Sequence, residues 1–178
     1  MSHPQQIEYI QSIKDKHKKY FKNTCVLEVG SLNVNGSVRP FFENCAYIGL
    51  DVDYGPCVDV VCLGHEYDMP NGSFDTVISC ECFEHNPYWI ETFNNMIRLC
   101  KSGGLIIMTC ATEGRAEHGT REREPSSSPL TVKLNWDYYK NLVQKNFEDN
   151  FKLEDIFQVF EFKTNLESKD LYFYGIKK

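Results

Sequence analysis

The sequence predicts an α/β domain built on a largely parallel sheet. Three observations carry that expectation: strand-like and helix-like segments alternate after an N-terminal helix, glycine turns stand where apolar runs end, and two β-like runs close the chain. The 178 residues amount to about one domain. Hydrophobic residues make up 42% and charged residues 25%, which suits a soluble domain with a substantial core. No internal repeat breaks the pattern.

In chain order, the first helix spans about 4 to 22, where Ile7, Ile10, Ile13, His17 and Phe21 recur near helical spacing. Lys14, Lys16, Lys18, Lys19 and Lys22 fall between them and read as the solvated basic face of an amphipathic helix. Strands are predicted over 25–30, 46–51, 58–62, 74–80 and 104–110. A short helix is placed near 37–44 and a longer one near 87–100, opening with Pro87, which the first turn of a helix tolerates. Lys101-Ser102-Gly103-Gly104 ends that helix on glycine and launches the next strand. Residues 111–130 are rich in Gly, Arg, Glu, Ser and Pro, with few apolar residues, a loop of the length that marks function or disorder; following the fifth strand, it is expected to border the acceptor site. Trp136, Tyr139, Leu142, Val143 and Phe147 predict a further helix. The runs 155–163 and 170–177, joined by Thr164 to Lys169, predict an antiparallel hairpin.

Composition narrows the function classes. No apolar run approaches the roughly 18 residues a membrane span requires, and the polar N-terminus shows no signal peptide. A net charge of −6 argues against a surface built for nucleic acid. Of the eight cysteines, Cys25, Cys62, Cys80 and Cys110 lie in or beside apolar runs, where free cysteine acts as a small hydrophobe. There is no CxxC pair, and Cys80-Glu81-Cys82 lacks a second pair at zinc-ligand spacing, so no metal is expected and a reducing, cytoplasmic setting fits.

The chemistry concentrates at strand ends. Residues 25–36 form an apolar run that carries Glu28, turns at Gly30 and reaches Gly36, a pattern expected to expose backbone N–H groups to a ligand. Asp51 closes the second strand about one βαβ half-unit later, where a carboxylate can accept hydrogen bonds from both hydroxyls of a ribose. Asn71-Gly72-Ser73-Phe74-Asp75 then feeds a buried strand that ends near Phe83-Glu84-His85, and Lys101-Ser102-Gly103-Gly104 follows.

In this order and spacing, residues 24–110 resemble a class I S-adenosylmethionine-dependent methyltransferase of the type 11 group. Leu27-Glu28-Val29-Gly30 resembles the first family motif and Ile48-Gly49-Leu50-Asp51 the second. The resemblance implies a doubly wound, Rossmann-like sheet of seven strands with a reversed final hairpin, and S-adenosyl-L-methionine as cofactor. It assigns Glu28 and Gly30, with Ser31 in the same turn, to the methionine end and Asp51 to the ribose. Leu63, Gly64 and His65 would flank the adenine, and Ser79, Cys80 and Glu81 would line the wall beneath the sulfonium. Two departures stand out: Leu32 replaces a second glycine, and Leu63 replaces an acidic residue often found before the adenine contacts.

Methyl transfer from a sulfonium is an in-line displacement on an activated donor, so positioning supplies most of the catalysis. Where the acceptor must lose a proton, His85 after the fourth strand and His118 in the long loop are the candidate bases. Arg115 could orient an anionic acceptor. Asn86-Pro87-Tyr88-Trp89 resembles the signature of base methyltransferases but lacks one proline and lies several residues past the strand end. No Asp/Asn cluster stands at the fourth and fifth strand ends, which disfavours metal-assisted transfer. The expected acceptor is a small or saccharide-like molecule. The chain has little room for a dedicated acceptor domain, making a second copy or a partner protein a candidate to complete the pocket. The rival reading is a non-catalytic adaptor that keeps the fold.

Overall fold

The computed structural model describes residues 3–178. Seven strands, β1 (Cys25–Val29), β2 (Ala46–Asp51), β3 (Val60–Val61), β4 (Phe74–Cys80), β5 (Cys100–Ala111), β6 (Phe157–Asn165) and β7 (Asp170–Lys177), form one sheet in the order β3-β2-β1-β4-β5-β7-β6. β1 pairs in parallel with both β2 and β4, and β5 continues parallel to β4. β7 alone is reversed, antiparallel to β5 and to β6. The chain therefore winds outward from β1 first to one side and then to the other. The carboxyl ends of β1 and β4 meet at that reversal, where open α/β sheets leave a crevice.

Alternation along the strands sends side chains to two apolar layers. Val26, Ile78, Leu105 and Ile107 pack with Tyr9, Ile10 and Ile13 of α1 (Pro4–Lys16). Leu27, Val77, Ile106 and Met108 face the other way and pack with Phe93 and Met96 of α2 (Trp89–Leu99). Helix α1 starts cleanly because Pro4 occupies its first turn and the His3 ring accepts from the Gln6 N–H. It ends at Lys16, short of the predicted residue 22, and a 3₁₀ turn over Lys18–Tyr20 follows.

The connections differ from expectation in instructive ways. The helix predicted near 37–44 is only a 3₁₀ turn over Arg39–Phe41, because Asn33, Asn35, Gly36 and Pro40 crowd the segment with helix breakers. The third strand shrinks from 58–62 to Val60–Val61. Strand β5 begins at Cys100 directly after α2, so Lys101 to Gly104 belong to the strand, with Gly103 at φ +72°. Short helices α3 (Pro129–Lys133), α4 (Gln144–Asn150) and α5 (Leu153–Ile156) lie between β5 and β6. The predicted helix around 136–147 is thus displaced, since Trp136 to Val143 run without helix and are tied to the end of β5. There Leu142 N–H donates to the Ala111 carbonyl at 3.0 Å, and Thr112 Oγ1 donates to the Leu142 carbonyl at 2.6 Å.

One aromatic cluster holds these late elements to the sheet. Phe93 is fully buried, and its ring meets Phe83, Phe147, Phe151, Phe157 and Phe173 at centroid distances from 4.9 to 6.5 Å. Removing it leaves a cavity at the junction of α2, α4, β6 and β7. Phe93→Ala is therefore expected to destabilise the protein by about 3–5 kcal/mol in urea denaturation. Leu166→Ser, at a site 84% exposed, should change stability by less than about 0.5 kcal/mol.

Candidate functional site

Gly30 follows β1 at φ +80°, and an added Cβ would lie 2.6 Å from Cβ and Sγ of Cys82, beyond β4. Only glycine allows the two strand ends to approach this closely. The adjoining turn differs from the sequence expectation: its N–H groups are not free. Gly30 and Ser31 both donate to the Leu50 carbonyl, Leu32 to Oδ2 of Asp51 and Asn33 to the Pro56 carbonyl. The turn is a rigid wall, with no helix N-terminus behind it. Leu32, the departure at the usual second glycine, is accommodated by Gly55, where a Cβ would meet Leu32 Cδ1 at 2.2 Å.

An open-sided cavity lies beside this wall. Glu28, Gly30, Ser31, Asp51, Cys80, Glu81 and His85 line it. Gln6 from α1 and Ser127 to Thr131 line it as well. A second, smaller cleft is lined by Val52, Cys62, Gly64, Asn86 and Trp136, and shares Gly30, Asp51, Cys82 and Thr131 with the first. Two compartments thus meet at Asp51.

Other predicted residues stand elsewhere. Ser79 is buried inside the sheet and donates its hydroxyl to the Val29 carbonyl at 2.8 Å. Leu63 lines neither cavity, and the His65 ring packs on Tyr88 at 4.5 Å. His118 lies behind His85, with ring centroids 5.0 Å apart, and outside both cavities. Arg115 reaches away from the crevice to the Ser168 carbonyl and to Asp170 at 3.2 Å. Asn86 uses its amide locally, donating to Thr92 Oγ1 and accepting from the Tyr88 N–H. Residues 127–130 belong to the 111–130 loop that the sequence places beside the acceptor, and they do line the cavity. Gln6 and Thr131 escaped the sequence reading because they reach the crevice only through tertiary folding.

The electrostatics are those of a dry, acid-lined pocket. Burial raises the Glu28 carboxyl to about 7, opposed by the Tyr47 hydroxyl donating at 2.8 Å and by Arg39, and reinforced by Asp51 and Asp59. Burial also lifts Asp51, partly offset by N–H groups of Leu32 and Val52. Glu81 sits in the left-handed region at φ +51°, a strained position for a side chain. Burial and the neighbouring Glu84 raise its carboxyl to about 7. Its two oxygens have no hydrogen-bond partner. Burial lowers His85 to about 3, with His118 adding to the effect.

The seven-stranded order with one reversed strand is a Rossmann-like fold shared with solved methyltransferase structures. Residues 28–108 match the family model described as a methyltransferase domain. Over 78 residues the chain is 30% identical to prosolanapyrone synthase of Alternaria solani, a match covering 44% of this chain and 3% of that protein. Two solved structures share the fold at low identity. Phosphoethanolamine N-methyltransferase 2 of Haemonchus contortus, in complex with S-adenosyl-L-methionine, aligns with a TM-score of 0.65 and 14% identity, over 96% of this chain and 52% of that one. The 1,6-didemethyltoxoflavin-N1-methyltransferase of Burkholderia thailandensis aligns with a TM-score of 0.62 and 12% identity, over 100% of this chain and 92% of that one. The chain thus spans about half of the first of these structures and a small fraction of the curated relative.

The raised Glu28 makes stability depend on pH in a defined direction. The folded state holds this proton more tightly than the unfolded chain, whose carboxyl titrates near 4.5. Its contribution is therefore complete below about pH 4.5 and lost as pH rises through about 7. Glu28→Gln removes the titration, so its stability relative to the wild type should rise by up to roughly 3 kcal/mol between pH 4.5 and pH 8 in urea denaturation. A difference independent of pH would contradict this assignment.

Proposed function

We propose that this protein binds S-adenosyl-L-methionine across the crevice and transfers its methyl group to a small, saccharide-like acceptor by in-line displacement. The observation that carries the reading is the pair of compartments meeting at Gly30, Asp51, Cys82 and Thr131. A ligand with a nucleoside at one end and an amino acid at the other requires that shape. The nucleoside end fits the smaller cleft, with Asp51 receiving the ribose hydroxyls and Val52, Cys62, Gly64 and Trp136 around the base. The methionine end fits beside Glu28 and Ser31, where the unpartnered Ser31 hydroxyl and the Glu28 carboxyl can receive an ammonium group.

The acceptor then faces Glu81, His85, Ser127, Ser128 and Thr131. These are hydrogen-bonding groups suited to a polyhydroxylated molecule. His85 lines the cavity with both ring nitrogens unpartnered, and is the group placed to take the acceptor's proton, with His118 behind it. Gln6 and residues 127–131 supply part of the lining, and a second copy or partner protein would complete the rest. We assign a reducing, cytoplasmic setting from the apolar sequence surroundings of Cys25, Cys62, Cys80 and Cys110. Among the described residues no helix is long and apolar enough to cross a membrane.

Calorimetry with S-adenosylhomocysteine tests the reading. Saturable binding of one ligand per chain is expected, and Asp51→Ala should weaken it by about 1–3 kcal/mol. Binding should also release a proton from Glu28 near pH 6.5, because the ligand's ammonium favours the charged carboxylate. The observed heat should then vary with buffer ionisation enthalpy in the wild type and not in Glu28→Gln. No binding at millimolar ligand would overturn the proposal.

A further inference from the structure

Beyond the ends of β4 and β5, Glu84, His85 and His118 converge without any acidic run in the sequence to announce them. One ligand-capable atom from each lies within 4.8 Å of the other two. The three side chains belong to residues 0%, 3% and 5% exposed. Neither carboxylate oxygen of Glu84 nor either ring nitrogen of His85 has a hydrogen-bond partner. Polar atoms buried in this state carry a large desolvation penalty, and natural structures satisfy such atoms with a partner or an ion.

His118 is already set in a ligating tautomer. Its Nδ1 lies 3.0 Å from the Ala116 carbonyl, which can only accept, so Nδ1 carries the proton and Nε2 presents its lone pair. The Lys140 N–H holds the Glu84 backbone carbonyl at 2.9 Å, and the Tyr139 ring packs against both imidazoles at 5.0 and 5.6 Å. The cluster is therefore braced from outside while its inner atoms remain unpaired.

We propose that Glu84, His85 and His118 bind a divalent transition metal, with Zn²⁺ the first choice. Two imidazoles and one carboxylate suit Zn²⁺ better than Mg²⁺ or Ca²⁺, which take oxygen ligands. Three protein ligands leave a fourth position, and His85 places that position at the acceptor side of the cavity. A cation there would lower the pKa of an acceptor hydroxyl bound to it, and the proton lost on methylation would pass to Glu81, whose unpartnered carboxylate lines the same cavity. The proposal rests on the acceptor placement given above, and it replaces the free-imidazole role of His85 with that of a ligand.

The test uses the full chain stripped with chelator and titrated with Zn²⁺ by calorimetry and with Co²⁺ by visible absorption. One equivalent per chain is expected, with the d–d bands of a tetrahedral site and without thiolate-to-cobalt charge transfer, which separates this site from the eight cysteines. His118→Ala and the near-isosteric Glu84→Gln should each weaken binding by about 100-fold. Their circular dichroism and S-adenosylhomocysteine binding should stay at wild-type values. Absence of stoichiometric binding, or binding undiminished in both variants, would overturn the metal site. S-adenosylhomocysteine binding without metal binding would leave methyl transfer standing with His85 as base. Metal binding without S-adenosylhomocysteine binding would sink the methyltransferase reading and leave a metal centre.

Discussion

The close approach of Gly30 to Cys82 is the constraint on which the rest of the site depends. β1 lies between β2 and β4, and the chain leaves it first in one direction and then in the other, so the crevice opens where those two paths separate. A side chain at residue 30 would have to occupy space held by Cys82. Its absence brings the turn after β1 against the segment after β4, and Asp51 of β2 then stands between two compartments. The backbone of the turn is fully engaged with Leu50, Asp51 and Pro56, so the wall is rigid before any ligand arrives. Rigidity of this kind is what positional catalysis requires.

The crevice is costly to maintain. Glu28, Glu81, Glu84 and His85 are ionisable groups held away from water, and the last three lack hydrogen-bond partners. Their pKa displacements all oppose charge, as burial dictates. The Phe93 cluster and the α1 face of the sheet supply the opposing apolar burial. Concentrating uncompensated polar groups at one sheet edge is how a site differs from a core.

β1, β2 and β4 were legible in the sequence because each is an apolar run closed or followed by glycine or a carboxylate, and their period and punctuation survive without tertiary context. Glu28, Gly30 and Asp51 could be located for the same reason: each sits at a strand end. The helices were harder to read. Trp136, Leu142 and Phe147 have helix-like spacing, yet Leu142 is drawn to Ala111 of the sheet and the helix begins only at Gln144. Gln6 and Thr131 reach the crevice from distant segments, which no local pattern records. His85 and His118 were both named from the sequence, but their convergence with Glu84 was hidden, since 33 positions separate the two histidines and only the path of β5 and its following loop brings them together.

The most direct measurement is a crystal structure of the protein with S-adenosylhomocysteine. The account predicts both ribose hydroxyls on the Asp51 carboxylate, the adenine beside Gly64 and Trp136, the amino group at Glu28, and the sulfur facing His85. A ligand bound elsewhere, or one whose ribose does not touch Asp51, would contradict it.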